Sequence, residues 1–93
     1  MKKINKNQKI VIITGGLGFL GVQHAEAVLE AGHYPILIDV NMKNSLNIKK
    51  FFKKKYSIII NIEKCNITKI SEVKKMKTKI LSRFNKIDSL INN

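Results

Sequence analysis

Apolar positions along the chain fall into two kinds of run that alternate. Lys9-Ile10-Val11-Ile12-Ile13-Thr14 is short, β-branched and apolar at consecutive positions, the pattern of a strand buried on both faces of a parallel sheet. From about Gly18 to Ala31 the residues favour a helix, with Leu20, Ala27, Val28 and Ala31 able to share one face. Gly32 then stands where a left-handed C-terminal cap is expected. Tyr34-Pro35-Ile36-Leu37-Ile38-Asp39 makes a second strand, in which Pro35 is tolerable only near the start. Residues 44–56 are weakly helical and lysine-rich, with Leu46, Phe51 and Phe52 as inward positions. Ser57 to Ile62 reads as a third strand. Helical spacing returns through Ile70, Val73, Met76 (or Lys77), Ile80 and Phe84, and Ile87 to Ile91 starts a fourth strand. This β-α-β-α-β-α-β alternation predicts an α/β fold with parallel strands, right-handed crossovers and helices on both faces.

Between the first strand and first helix lies Thr14-Gly15-Gly16-Leu17-Gly18-Phe19-Leu20-Gly21, which contains Gly16-x-Gly18-x-x-Gly21. Such a motif gains meaning from its context. A buried strand precedes it, a helix follows it, and Asp39 ends the next strand, 18 residues past Gly21. That is the arrangement of a dinucleotide-binding turn with its ribose-binding acid. A glycine at the strand exit permits a tight turn, a second lets the backbone approach a pyrophosphate, and Gly21 lets the helix sit close to the sheet. The helix N-terminus offers N–H groups and a partial positive charge to phosphates. The Asp39 carboxylate would accept bonds from ribose hydroxyls and repel a 2′-phosphate, which favours NAD over NADP; Lys43, the nearest base, softens that preference. No Gly-Lys-Ser/Thr follows, which excludes a P-loop nucleotidase.

Composition narrows the remaining classes. The chain has 93 residues, a single small domain or part of one, and carries a net charge of +12. No run approaches the ~20 apolar residues of a membrane helix, and Ile10 to Ile13 is too short for the core of a signal peptide. One cysteine, Cys65, builds neither a disulfide nor a zinc site by itself, so the chain reads as cytoplasmic and reduced. His24 and His33 have no partner at metal-ligand spacing. The charge is unevenly placed: residues 10–42 hold no lysine or arginine and three acids. The rest is basic through lysine, and 17 lysines, 16 isoleucines and 10 asparagines point to an AT-rich coding bias. With one arginine and no aromatics spaced among the bases, the lysines read as solvated surface rather than a nucleic-acid platform.

Taken together, these residues resemble the short-chain dehydrogenase/reductase family. Thr14, Gly15, Gly18 and Gly21 match its opening Thr-Gly turn. Cys65-Asn66-Ile67-Thr68 resembles the family's Asp-Val-Thr segment after the third strand, where the acid meets the adenine amino group and the next residue's backbone helps hold the ring. Ile87-Asp88-Ser89-Leu90-Ile91-Asn92-Asn93 is similar to the family's Ile-Asp-x-Leu-x-Asn-Asn-Ala-Gly, cut off after the second Asn. The glycine spacing is that of the extended branch, with its nucleotide-sugar epimerases and dehydratases. The Asn-Asn ending is that of the classical branch and is the more diagnostic.

The resemblance implies a Rossmann-type doubly wound parallel sheet in the order 3-2-1-4, truncated after the fourth strand. Residues 1–8 would be a basic lead-in, and 9–93 a partial NAD(P)-binding domain, its adenine-binding half. NAD would lie with its pyrophosphate over Leu17 to Leu20, a ribose on Asp39, adenine against the Asn66 side-chain oxygen and Ile67, and Asn92 near the nicotinamide-side ribose. Family chemistry uses a serine and a Tyr-x-x-x-Lys pair downstream, the tyrosine moving a proton while hydride moves at the nicotinamide. Tyr34 has Ile38 four residues on and Tyr56 has Ile60, so no catalytic residue is expected here. Hydride transfer to or from a small, sugar-derived molecule, and any homo-oligomer, would need the missing half. Three other functions fit parts of the pattern: an NAD-dependent sugar-nucleotide epimerase or dehydratase, a non-catalytic truncated remnant, and a basic nucleic-acid-binding module, whose affinity would fall steeply with salt.

Overall fold

The β-branched run at Ile10 becomes the inner strand on which the rest of the fold is built. A computed structural model describes residues 7–93; the first six residues of the expected basic lead-in lie outside them. The elements are β1 (Ile10–Thr14), α1 (Phe19–Glu30), β2 (Tyr34–Asp39), α2 (Ser45–Tyr56), β3 (Asn61–Lys64), α3 (Ile70–Phe84) and β4 (Ser89–Asn92). The four strands form one parallel sheet in the order β3-β2-β1-β4, the expected Rossmann-type order. No helix among the described residues is long and apolar enough to cross a membrane.

Alternation along β1 and β2 divides the core in two. On one face Ile10, Ile12, Ile36 and Ile38 meet Ile80 and Phe84 of α3. On the other, Val11, Ile13 and Leu37 meet Ala25 of α1 and Phe52 of α2. Each of these side chains except Ala25 contributes about 1.5–3 kcal/mol by leaving water. The α2 and α3 lysines are exposed and divided between the two faces of the sheet, so they form no single stripe.

Three helix faces differ from expectation. In α1 the small residues Gly21 and Ala25 make the contact, which lets the helix come close and leaves Leu20, Ala27 and Ala31 exposed; of the four expected inward residues only Val28 is half-buried. In α2 only Phe52 is buried, while Leu46 and Phe51 are exposed. In α3 the seam begins at Val73 rather than Ile70, which is exposed. β4 starts at Ser89, two residues late, because the Asp88 carboxylate takes the Ile10 N–H at 2.7 Å while its own N–H reaches the Ile10 carbonyl.

The third strand also moves, from the expected 57–62 to Asn61–Lys64, and Pro35 is the reason. Tyr34 N–H donates to the Lys9 carbonyl just before β1 and the Asp39 carbonyl accepts from Cys65 past β3, so alternation turns position 35 toward β3. A proline there has no N–H to give. The register pairs Ile36 with Asn61, and a donor at 35 would have met the Ile59 carbonyl. That carbonyl instead accepts from the Tyr34 hydroxyl at 3.0 Å. The run Ile58 to Ile60 therefore stays outside the ladder, and Ser57 serves as the left-handed cap of α2 with φ 57°.

Candidate functional site

Parallel strands joined by crossovers bring all four strand ends, and the loops after them, to one edge of the sheet. The turn after β1 is set by glycine at two positions. Gly15 takes φ +59°, where a side chain is strained. Gly21 lies so close that a Cβ on it would be 2.5 Å from the Gly15 carbonyl oxygen and 2.7 Å from Gly16 Cα. The helix thus packs on the glycine turn itself, a closer contact than the expected one with the sheet. Gly16 N–H donates to the Ile38 carbonyl at 2.9 Å, which seats the turn on β2. Gly18 is the N-cap of α1 and brings no capping side chain, and the first turn of α1 has no acid. The helix N-terminus, with Phe19 82% exposed beside it, is left open.

Asp39 closes the other side. Its Oδ2 accepts the Leu17 N–H at 3.1 Å and its Oδ1 accepts the Asn41 N–H at 3.1 Å. A polar pocket of about 260 Å³ opens there, lined by Leu17, Gly18, Asp39, Asn41, Lys43 and Asn44. At the end of β1 the Thr14 hydroxyl donates to Asn92 Oδ1 at 2.9 Å and accepts the Asn93 N–H at 3.2 Å, fastening β4 to the turn. Thr14 and Asn92 also line an apolar cavity of about 370 Å³ with Ile12, Ile38, Ile67 and Leu90.

The loop from Cys65 to Lys69 is held by its own bonds. The Asn66 side-chain oxygen, expected to be free for an adenine amino group, accepts the Thr68 N–H at 3.0 Å and the Thr68 hydroxyl at 2.6 Å. Both of its lone pairs are thereby used. Asn66 N–H donates to Glu72 Oε1 at 2.9 Å. Cys65 is a buried filler whose thiol is pushed up by burial and then by the Glu72 carboxylate.

Both tyrosines lie at the far end of the sheet, Tyr34 opening β2 and Tyr56 closing α2. Tyr56 donates to Glu26 and Glu30, and burial and those carboxylates push its hydroxyl far above the usual phenol range. The structure thus gathers Thr14, Gly15, Gly16, Leu17, Gly18, Phe19, Leu20, Gly21, Asp39, Asn66, Ile67 and Asn92 around one edge. The sequence pattern did not single out Asn41, Asn44 or Glu72, and it gave Thr68 no role beyond its place in the Asp-Val-Thr-like segment. The Asp-x-Asn and Asn-x-Thr spacings, each able to close a local turn, were the signals for Asn41 and Thr68.

The profile of a family described as short chain dehydrogenase matches residues 9–93. The chain belongs to the short-chain dehydrogenase family. A short chain dehydrogenase/reductase of Gibberella zeae, dpfgG, is 36% identical over 85 residues, 91% of this chain and 31% of that protein. The fold of this short-chain dehydrogenase chain is also that of an NAD+-bound xylitol dehydrogenase (TM-score 0.78, 24% identity, 92% of this chain and 33% of that one). An NADPH-dependent 3-quinuclidinone reductase from Rhodotorula rubra is similar as well (TM-score 0.77, 22% identity, 97% and 37%). The chain spans about a third of the length of the relatives it matches. Its family is one of oxidoreductases, and its Rossmann-type order matches these neighbours.

Proposed function

We propose that this chain holds the adenine half of a nicotinamide dinucleotide for an oxidoreductase, with NAD preferred over NADP. One observation carries the reading: the Asp39 carboxylate and the glycine turn are bonded to each other, Leu17 N–H to Oδ2 at 3.1 Å, on the wall of an open polar pocket. The residues fit the group. A Cβ on Gly18 would meet only the Gly15 oxygen, at 3.4 Å, so backbone faces the space where a pyrophosphate would lie over Leu17 to Leu20. The uncapped helix N-terminus supplies N–H groups and partial positive charge. Asp39 has used two of its roughly four acceptor positions, which leaves two for ribose hydroxyls. The Ile67 N–H, which donates to no protein acceptor among the described residues, remains for the adenine ring.

The bound dinucleotide would supply the hydride acceptor or donor. The chain's own residues bind and orient it, and neither Tyr34 nor Tyr56 lies where a proton would be exchanged. Hydride transfer to a small-molecule substrate therefore needs the serine, tyrosine and lysine that the family resemblance puts downstream. Lys43 on the pocket wall favours a second reading, use of NADP.

Calorimetric titration with NAD, NADP and ADP-ribose tests both. NAD should bind more tightly than NADP. Asp39→Ala should weaken NAD by about 1.5–3 kcal/mol, the worth of hydrogen bonds to a charged group, and shrink its advantage. An NAD affinity unchanged by that substitution removes the ribose assignment, and NADP binding tighter than NAD selects the Lys43 reading.

A further inference from the structure

We infer that Glu72 is a positioning residue for base recognition, anchoring the N–H side of Asn66 so that the next peptide, held by Lys69, turns its free N–H toward the cofactor's adenine; the inference rests on the dinucleotide reading above. Four of the five N–H groups from Cys65 to Lys69 have protein acceptors: Asp39 O, Glu72 Oε1, Asn66 Oδ1 and Asn66 O, in chain order with Ile67 omitted. Only the Ile67 N–H has none among the described residues. A loop that satisfies every other donor and leaves one at the rim of an apolar cavity, which Ile67 itself lines, is shaped for a flat ligand with an acceptor on its edge.

Glu72 is the third residue of α3. A carboxylate at this position ordinarily reaches back to its own N-cap. Here the N-cap, Lys69, offers no capping side chain, and the carboxylate extends further back to Asn66 N–H at 2.9 Å. On the other side of Asn66, its carbonyl accepts the Lys69 N–H at 3.0 Å. The peptide joining Asn66 to Ile67 is planar and trans, so a carbonyl held toward the start of α3 sends the Ile67 N–H the opposite way, out of the loop. Glu72 and Lys69 thus grip Asn66 at both ends, and Ile67 is aimed as the result. The Asn66 side chain is occupied by Thr68 and has no lone pair left for this task. Base recognition then depends on a backbone donor whose own peptide is held by the Lys69 N–H and whose preceding peptide is held by Glu72, a residue that need not touch the ligand.

The test uses the 93-residue chain and its Glu72→Ala and Glu72→Gln variants, with ADP-ribose and inorganic pyrophosphate as probes and amide exchange followed by NMR. Glu72→Ala should bind ADP-ribose roughly tenfold more weakly, the loss of one charge-assisted bond, with pyrophosphate affinity unchanged. Glu72→Gln keeps an oxygen acceptor and should recover most of the loss. Asn66 N–H should exchange at least tenfold faster in Glu72→Ala only, with β1 and α3 amides as in the parent. Equal ADP-ribose affinity in parent and Glu72→Ala overturns the inference, as does a glutamine variant no better than alanine. If the parent binds no ADP-ribose, the dinucleotide reading falls and base recognition by this loop falls with it; the Asn66 exchange rates separate that outcome from a loop that Glu72 never held.

Discussion

Replacing Gly21 by alanine puts a single methyl group where, of the five glycines, a Cβ has the least room. Its Cβ would lie 2.5 Å from the Gly15 oxygen, 2.7 Å from Gly16 Cα and 2.8 Å from Gly16 C. All three are backbone atoms of the glycine turn, so no side-chain rotation relieves them. Two effects oppose each other. Alanine is the better helix former by about 1 kcal/mol. Overpacking a close contact costs about 1–3 kcal/mol, and distances this far inside normal approach take the upper end. The net expectation is a loss of about 2 kcal/mol, or about 8–16 °C in melting temperature for a domain this small. The displaced turn should also bind ADP-ribose more weakly. Gly18→Ala is the control, since its Cβ meets only one atom, at 3.4 Å, and should cost little stability while obstructing the ligand. Urea unfolding of both variants, with ADP-ribose titration of each, reads the two effects separately. A Gly21→Ala chain as stable as the parent would refute the claim that the helix packs on the turn.

Two further outcomes follow from the strand ends. The Ile10 N–H, and after it Lys86, holds the Asp88 carboxyl below the ordinary carboxylate range. A lowered native value stabilises the fold in full above the unfolded value of about 4 and loses that contribution as pH falls through the native value. The urea midpoint should therefore drop on acidification below about pH 4, and less so in Asp88→Asn; superimposable acid limbs would show that this bond contributes nothing. At β3, Pro35→Val restores a donor facing the Ile59 carbonyl. The new bond contributes about 0.5–1.5 kcal/mol, against about 0.4–1 kcal/mol from losing the proline's restraint on the unfolded chain. Stability should change by less than about 1 kcal/mol, while the amide at position 35 becomes protected in hydrogen exchange; an unprotected amide would show that Pro35 does not limit the strand.

The central strands were legible because β1 and β2 are apolar on both faces, a pattern few other environments demand, and the strand order came with the family resemblance. The glycine turn and Asp39 were legible because their spacing survives any detail of packing. What escaped was decided by partners distant in sequence. Nothing in Ser57 to Ile62 shows that its neighbour is Pro35, 25 residues earlier than Ile60. Large apolar residues attract attention to a helix face, yet α1 makes its contact through Gly21 and Ala25, whose smallness is the point. Leu46, Phe51 and Ile70 have the hydrophobicity of core residues but lie beyond the reach of the sheet. In the site, Asn66 was given its role by its place in the Asp-Val-Thr-like segment, whereas its oxygen is claimed by Thr68 two residues on.

The bond between Thr14 and Asn92 joins residues 78 apart, and it also orders events in time. Closing a loop of that length costs about 4 kcal/mol by (3/2)RT ln n, against about 3 kcal/mol for the 24-residue separation that pairs β1 with β2. During synthesis the first βαβ unit, with the glycine turn and Asp39 already facing each other, is free to assemble early. One side of β1 then stays unpaired until the last residues of this segment emerge. For that interval the middle of the sheet is an edge, and the chain's exposure to faulty pairing is set by how soon Asn92 arrives.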